Sequence, residues 1–512
     1  MKSMPPSNQN SLQNKPLIRT YESARLNVFP RETIEQRKTN EVPGCENDIT
    51  RSDAKEIILL AEKFPEVVNP AKWARLSSDD RYLLLGQYVG SISTTNLNII
   101  ISPKVDEDKK NGGKRNPAGC VHLSVLVKSA KLTNLPKEDF AQPGVMDEEI
   151  LFLHAEKFLG DMTREVQHGL RCGYVSVSED LKSLRGTLDT NQIALKTAVH
   201  PELIPCKFDE FEENTLHNQV LRRAIVIIRS MLTSIPRDTT FGAKAINLTL
   251  KCDTLLELLV RVSDINLTWD MISSVQLSRL ESRYYDIFLY AKLLIKCSAP
   301  FNQSRQDAPT HQAGFSEVWD PAKLFELHIA NYLSNKLNEA QSPKRKTRNN
   351  KRHTVRFKVL AQSQNRWLVK SSSDVNANKP GLVLIRPDII IWDEVHNHAH
   401  LIIDTKWKRS RGVMSDLSSN DSYQVSADDA YQVHAYATTY SVKPLKPASG
   451  TKKTRTYYPP VCLLYPSIGE PNVPELGTFN GIGSDLLLAR APMDEKNFKF
   501  DPAIVFGKWW PI

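Results

Sequence analysis

Apolar and polar positions change their spacing along the chain, and the changes divide it. Residues 1–50 are rich in Pro, Ser, Asn, Gln and charge, with only short apolar stretches such as Leu26-Asn27-Val28-Phe29. This predicts a loose arm with room for one early strand. Between 80 and 105, aromatic and β-branched residues alternate with glycine. Arg81 to Gly90 and Leu97 to Lys104 together predict a small antiparallel β-unit. Residues 106–117 are charged and Gly/Asn-rich, hence a loop. Val121 to Val127 alternates in part and fits either a strand or a helix start. A helix is predicted over 149–170, then short strands and charged turns over 172–209. From 216 to 297 the apolar spacing turns helical, through Leu221–Leu232, Leu255–Val262 and a long helix from Val275 to Cys297.

A new unit begins near Phe315. The spacing predicts a helix over 319–337, with Asp320-Pro321 as its cap and first turn. The basic run Lys344 to Arg352 reads as a loop. Strand patterns follow at Val355–Leu360, Trp367–Val369, Leu382–Trp392 and His400–Thr405. After a polar stretch over 412–429 come a helix from Ala430 to Tyr440 and a strand from Val461 to Tyr465. A chain of 512 residues exceeds one compact core. The division expected is an arm (1–50), a β-rich region (51–210), a helical region (211–310) and a C-terminal α/β domain (311–512). That last domain has a mixed central sheet flanked by helices.

Composition narrows the function classes. The 67 basic and 58 acidic residues leave a formal charge of +9, compatible with a polyanionic partner but thinly spread. Seven cysteines are scattered without a CxxC pair, which argues against a zinc ribbon and for reduced, cytoplasmic thiols. No signal-like segment and no run of 18 apolar residues is seen, so no membrane span is expected. No GxxxxGK[ST] loop occurs, so nucleotide hydrolysis by this chain is not expected.

The chemistry concentrates on two apolar runs. Arg386-Pro387-Asp388 precedes Ile389-Ile390-Ile391, and Leu401-Ile402-Ile403 precedes Asp404-Thr405-Lys406. A turn at Val395 to Ala399 brings Asp388 close to Asp404 and Lys406. Asp404 and Lys406, two apart on a strand, share a face, while Thr405 faces away. Carboxylates are hard oxygen ligands suited to Mg²⁺ or Mn²⁺, which can polarise a phosphate and acidify a water. Lys406 can orient that water or stabilise developing charge. The plain alternative is a surface hairpin with an ordinary Asp–Lys ion pair. Glu326, flanked by Phe325 and Leu327, is either a third acid or a solvated helix-face glutamate. Gln432 and Tyr436, at i and i+4, either brace Lys406 and contact phosphate or divide between solvent and core. His396, His398 and His400 alternate on what would be one strand face; with no fourth ligand they read as a polar hairpin. Lys344–Arg352, with Lys408, Arg409 and Arg411, would either cross a DNA backbone or solubilise loops.

These residues resemble the McrC family, the nuclease subunit of McrBC-type modified-cytosine-specific restriction systems. The strongest section is Arg386 to Ile390, Leu401 to Lys408 and Gln432 to Tyr436, with Leu324-Phe325-Glu326 like the segment that bears an upstream acid. Outside it, Tyr88-Val89-Gly90, Ile101 to Lys104, Arg185-Gly186-Thr187-Leu188-Asp189, Cys206 to Phe211 and Leu216 to Leu221 match family blocks in the same order. The resemblance implies a PD-(D/E)xK nuclease core. Its metal ligands would be Glu326, Asp388 and Asp404, and its site would be completed by Lys406, Gln432 and Tyr436. It also implies double-stranded DNA as substrate and an McrB-like AAA+ GTPase hexamer as partner. GTP would be bound by that partner, and the N-terminal half would contact the ring and stimulate hydrolysis. The alternatives are a non-cleaving assembly and GTPase-activating subunit, or a stand-alone DNA repair nuclease. Long 1–50, 341–353, 409–427 and 441–456 segments depart from the compact family pattern.

Overall fold

The computed structural model describes residues 17–39, 48–63, 73–94, 96–103, 107–108, 114–115, 126–127, 148–196, 199–237, 242–265, 267–275, 282–298, 316–341, 356–361, 366–369, 383–408, 425–442, 456–467, 475–493 and 500–511. The basic segments 344–352 and 409–411, and most of Val121 to Val127, lie outside the described residues.

The chain opens with β1 (Leu17–Tyr21), β2 (Arg25–Phe29), α1 (Arg31–Thr39), β3 (Asp48–Thr50), α2 (Arg51–Lys63), β4 (Ala74–Leu76), β5 (Tyr82–Leu85), β6 (Val89–Ser93) and β7 (Asn98–Ser102). Part of the expected arm is therefore built into sheets. Ile18 and Leu26 are buried, and the polar look of the segment arises because each short strand turns few residues inward. One four-stranded sheet has the order β3-β2-β5-β4. The other runs β1-β7-β6-β13, and its last strand, β13 (Glu317–Trp319), arrives from far along the chain. Gly90 sits opposite Val318 in the β6–β13 pair.

A middle region follows, with α3 (Glu148–Gln167), β10 (Gly173–Leu181), β11 (Thr187–Leu188), α4 (Thr190–Lys196) and β12 (Ile204–Glu212), after the small β8–β9 pair (Glu107–Asp108, Lys114–Arg115). Strands β10 and β12 pair antiparallel along their whole length. On this ribbon Tyr174 and Phe211 face each other with ring centroids 5.2 Å apart, 78% and 64% exposed. Helices α5 (Leu216–Thr233), α6 (Gly242–Leu258), α7 (Trp269–Ser274) and α8 (Ser282–Ser298) form a packed group. In α5, Thr215 accepts the Asn218 N–H as N-cap, and Leu221, Ile225, Ile228 and Leu232 recur at helical spacing on the buried face. The long helix expected over Val275–Cys297 is found as α8 from Ser282, while Val275 itself is extended and closes the separate α7.

The C-terminal region is α9 (Pro321–Gln341), β14 (Phe357–Ala361), β15 (Arg366–Val369), β16 (Val383–Ile385), β17 (Ile389–Asp393), β18 (His398–Thr405), α10 (Ala427–Thr439), β19 (Val461–Ser467), β20 (Glu475–Thr478), β21 (Asp485–Pro492) and α11 (Pro502–Phe506). Six strands form a mixed sheet in the order β14-β17-β18-β19-β21-β20. β17 runs antiparallel to β18, while β18, β19 and β21 are parallel. Helices cover both faces, as a PD-(D/E)xK-like core requires. Leu401 and Ile403 point into one core with Leu324, Phe325 and Phe506. Ile402 points into the other with Val433, Tyr436 and Tyr440. A strand buried on both faces reads as an unbroken apolar run, which is why Leu401-Ile402-Ile403 does not alternate. Each of these side chains is fully buried and contributes roughly 1.5–3 kcal/mol.

Leu382–Trp392 is not one strand. Arg386-Pro387-Asp388 interrupts it: β16 pairs with β15 in a separate two-stranded sheet, and only β17 joins the main one. Proline lacks the N–H that a central ladder needs. Among the described residues no helix is long and apolar enough to cross a membrane. Cys172, Cys206, Cys252 and Cys462 are free thiols.

Candidate active site

Asp388 and Asp404 come together at the ends of β17 and β18 through the backbone between them. Asp388 Oδ2 accepts the Thr405 N–H (2.7 Å) and the Thr405 hydroxyl (2.8 Å). The threonine that the sequence sets facing away is the clamp that fixes the first acid beside the second. Asp404 lies on the Ile402 face, toward α10, and is 1% exposed.

Helix α10 supplies the rest. Lys406 Nζ lies 2.7 Å from Asp404 Oδ2 and donates to Gln432 Oε1 at 2.8 Å. The Gln432 amide donates to Asp404 Oδ1 (3.2 Å) and to the Tyr436 hydroxyl (2.7 Å), and that hydroxyl donates to Arg386 O (3.3 Å). One amide thus ties the second acid, the lysine and the Arg386-Pro387 bend into one network, and its orientation is set by partners on both ends. Gln432 is exposed and Tyr436 buried, but the exposed amide turns its bonds inward.

Two further residues were missed in the sequence. Asp429 sits three residues before Gln432 in the first turn of α10, where Ser426 caps the helix. It lies 3.3 Å from Lys406 Nζ and also binds Lys408. Spacing of i, i+3 from Gln432 was the available signal. Trp407 turns to the opposite layer, where its ring meets Phe325 at 5.7 Å and its Nε1–H donates to Glu22 at 2.8 Å. Nothing local to Trp407 points to residue 22. Glu326 follows Phe325 on α9 and is 8% exposed. It therefore stands on the helix layer across the sheet from α10.

The electrostatics follow from burial. Desolvation, then the charge of Asp388, pushes the Asp404 carboxyl up to about 6, against the pull of Lys406. Burial alone would lower Lys406, but Asp404 and Asp429 outweigh it and the net shift is upward, so the ammonium stays charged. Burial and Asp404 raise the Tyr436 phenol, which keeps it a neutral donor. A carboxyl whose folded pKa exceeds its unfolded value is disfavoured as the anion. Its stability contribution is full below the ordinary value near 3.8 and is lost as pH rises through about 6. Asp404→Asn is therefore expected to stabilise the metal-stripped protein near pH 8 by about 1–3 kcal/mol, and to do nothing near pH 4. Urea unfolding in chelator at both pH values checks this; equal effects at both would rule out charge as the cause.

The donor set suits a hard dication. Asp404 Oδ2 is buried without a well-aligned hydrogen bond, and Asp388 is close enough to perturb it. A second group able to hold a metal, Asp393 with His396 and His398, lies at the other end of the same hairpin.

The family described as "McrBC 5-methylcytosine restriction system component" matches residues 83–446, well over half of the chain. The chain belongs to the McrBC family. No curated protein matches this McrBC-family chain. Among solved structures, it is similar to a chain of the refined half-complex from a tetradecameric assembly of Thermococcus gammatolerans McrB AAA+ hexamers with bound McrC. That match has 17% identity and a TM-score of 0.44, covering 94% of this chain and 98% of that one. A cryo-EM structure of the Thermococcus gammatolerans McrBC complex matches at 18% identity and a TM-score of 0.30, over 64% and 89% of the two chains.

Proposed function

We propose that this McrBC-family chain is the McrC-like endonuclease subunit of a GTP-dependent restriction complex, hydrolysing DNA phosphodiester bonds with Mg²⁺, or Mn²⁺ in its place. The observation that carries the reading is the Asp404–Lys406–Gln432 network closing on Asp388 at the strand ends. Asp388 and Asp404 are the proposed metal ligands; Glu326, on the opposite helix layer, is proposed as a third by the family resemblance alone. When bound, the metal supplies Lewis-acid polarisation of the phosphate and a more acidic water. Lys406, held charged by two carboxylates, stabilises negative charge on the phosphoryl oxygens. Gln432 fixes the lysine and Asp404 relative to each other. Tyr436 anchors Gln432 to the Arg386 carbonyl, and so to the strand entry that carries Asp388.

An McrB-like AAA+ GTPase hexamer is the proposed partner and binds the GTP; double-stranded DNA carrying modified cytosine is the proposed substrate. A partner surface is supported by the β10–β12 ribbon, which carries a large exposed aromatic pair in Tyr174 and Phe211. The same ribbon supports the second reading, an assembly and GTPase-activating subunit that does not cut.

The test is to co-express the chain with an McrB-like AAA+ GTPase from the same source and to incubate modified and unmodified DNA with GTP and Mg²⁺. Cleavage by the intact complex and none by its Asp404→Ala form is expected. Equal cleavage by both places the chemistry elsewhere. GTPase stimulation without cleavage by either form selects the assembly reading.

A further inference from the structure

The turn between β17 and β18 is built from groups that bind metals, and it lies far from the site just described. Asp393 ends β17 and is paired directly across the ladder with His398, the first residue of β18. His396 lies in the turn itself, not in the strand, and Asn397 closes that turn with φ +53°. Counting alternate positions had set His396, His398 and His400 on one strand face, and the structure separates them. His400 turns inward, its Nε2 facing Trp509 O at 3.1 Å and its ring lying 5.0 Å from Phe357. His396 folds back instead, placing Nδ1 2.9 Å from Asp393 Oδ2. The third member of the group is thus an aspartate that the histidine spacing did not suggest.

One ligand atom from each of Asp393, His396 and His398 lies within 4.8 Å of the others. Tetrahedral sites with bonds near 2.0–2.2 Å set their ligands roughly 3.3–3.5 Å apart, so a small closure of the turn suffices. The group is partly preorganised. The Asp393 side chain is 3% exposed, and its Oδ1 accepts the Val395 and His396 amides at 2.9 and 3.1 Å. His398 is backed by the edge of Tyr457, with centroids 4.7 Å apart at 87°. His396 is 60% exposed, which leaves an open side for entry and for water as a fourth ligand.

The surroundings select the class of ion. Two borderline imidazole nitrogens beside one carboxylate favour zinc, cobalt or nickel over magnesium or calcium. Arg356 Nε, 3.6 Å from Asp393 Oδ2, opposes any cation held by charge alone. An ion bonded through nitrogen tolerates that neighbour better than a hard, oxygen-seeking one. We propose that Asp393, His396 and His398 form a transition-metal site, for an ion of the Zn²⁺, Co²⁺ or Ni²⁺ type, that staples the β17–β18 turn. It is separate from the proposed nuclease centre: Asp404 lies six positions beyond His398 along β18, or about 20 Å.

The test uses the full chain, stripped with chelator and titrated with Co²⁺ as a visible probe, followed by Zn²⁺ displacement. The Asp404→Asn form is titrated in parallel, with His396→Ala and His398→Ala each made in that background. Asp404→Asn is expected to retain one equivalent of Co²⁺ with nitrogen-ligand absorption, displaced by Zn²⁺. Each histidine variant is expected to weaken it at least about tenfold. Because His396 is an exposed turn residue, its variant keeps the fold, which circular dichroism verifies. The proposal is overturned if the histidine variants bind as tightly as their parent, or if Asp404→Asn alone abolishes binding. The second result would leave the nuclease reading standing, and the first would not touch it.

Discussion

Lys406→Ala is expected to lower DNA cleavage by the assembled complex about 100- to 1,000-fold while leaving stimulation of the partner's GTPase intact. The lysine is the one cation shared by Asp404, Asp429 and the Gln432 amide oxygen. Removing it takes away the charge available to a phosphoryl oxygen and leaves Asp404 buried beside Asp388 without its counter-ion. The side chain is only 19% exposed, so an assembly defect is not expected. Single-turnover cleavage under saturating partner, measured beside GTP hydrolysis, separates the two. Wild-type cutting by the variant would remove Lys406 from the chemistry. Parallel loss of both activities would make it a structural residue of the complex.

Gly90→Ala is the second large effect, and it is one of folding. Gly90 has φ +142°, a region closed to side-chain-bearing residues, and a Cβ there would lie 2.0 Å from Glu317 O. The obstacle is backbone of the paired strand, so no rotamer relieves it. β13 must leave β6, and with it goes Glu317, whose carboxylate lies 2.8 Å from His154 Nε2 in a buried pair. A loss of about 3–5 kcal/mol is expected, or roughly 10 °C in melting temperature. Calorimetry of the full chain decides it, and an unchanged melting temperature would mean that β13 is not held there.

How much of this was legible in the sequence depends on whether the signal was local. Helix α9, strand β18 and helix α10 were readable because apolar spacing and capping residues lie within each element. The network of Asp404, Lys406, Gln432 and Tyr436 was readable because pairs two apart on a strand and four apart on a helix share a face. The break at Pro387 was half visible: proline argued for an irregularity, but not that Val383 to Ile385 would join a different sheet. β20, β21 and α11 went unread: β20 and α11 are only four and five residues long, and β21, though eight, takes β19 as a parallel partner. Asp429 fell at the end of a stretch read as polar and loose, whereas the helix begins at Ala427. Its value comes from two lysines brought over by β18, and no window of sequence contains all three.

Glu22 and Trp407 stand 385 positions apart, yet they hydrogen-bond. On a ribosome adding about 5–20 residues per second, the carboxylate waits roughly 20–80 s for its tryptophan. β6 likewise waits for β13. The sheet containing β6 is therefore finished only after β13 is made, and the residue after Lys406 is seated by a side chain made 385 positions earlier. A chain lacking residue 22 leaves the Trp407 indole N–H without this acceptor. The order of synthesis thus joins the first sheet to the candidate site only once residue 407 has been made.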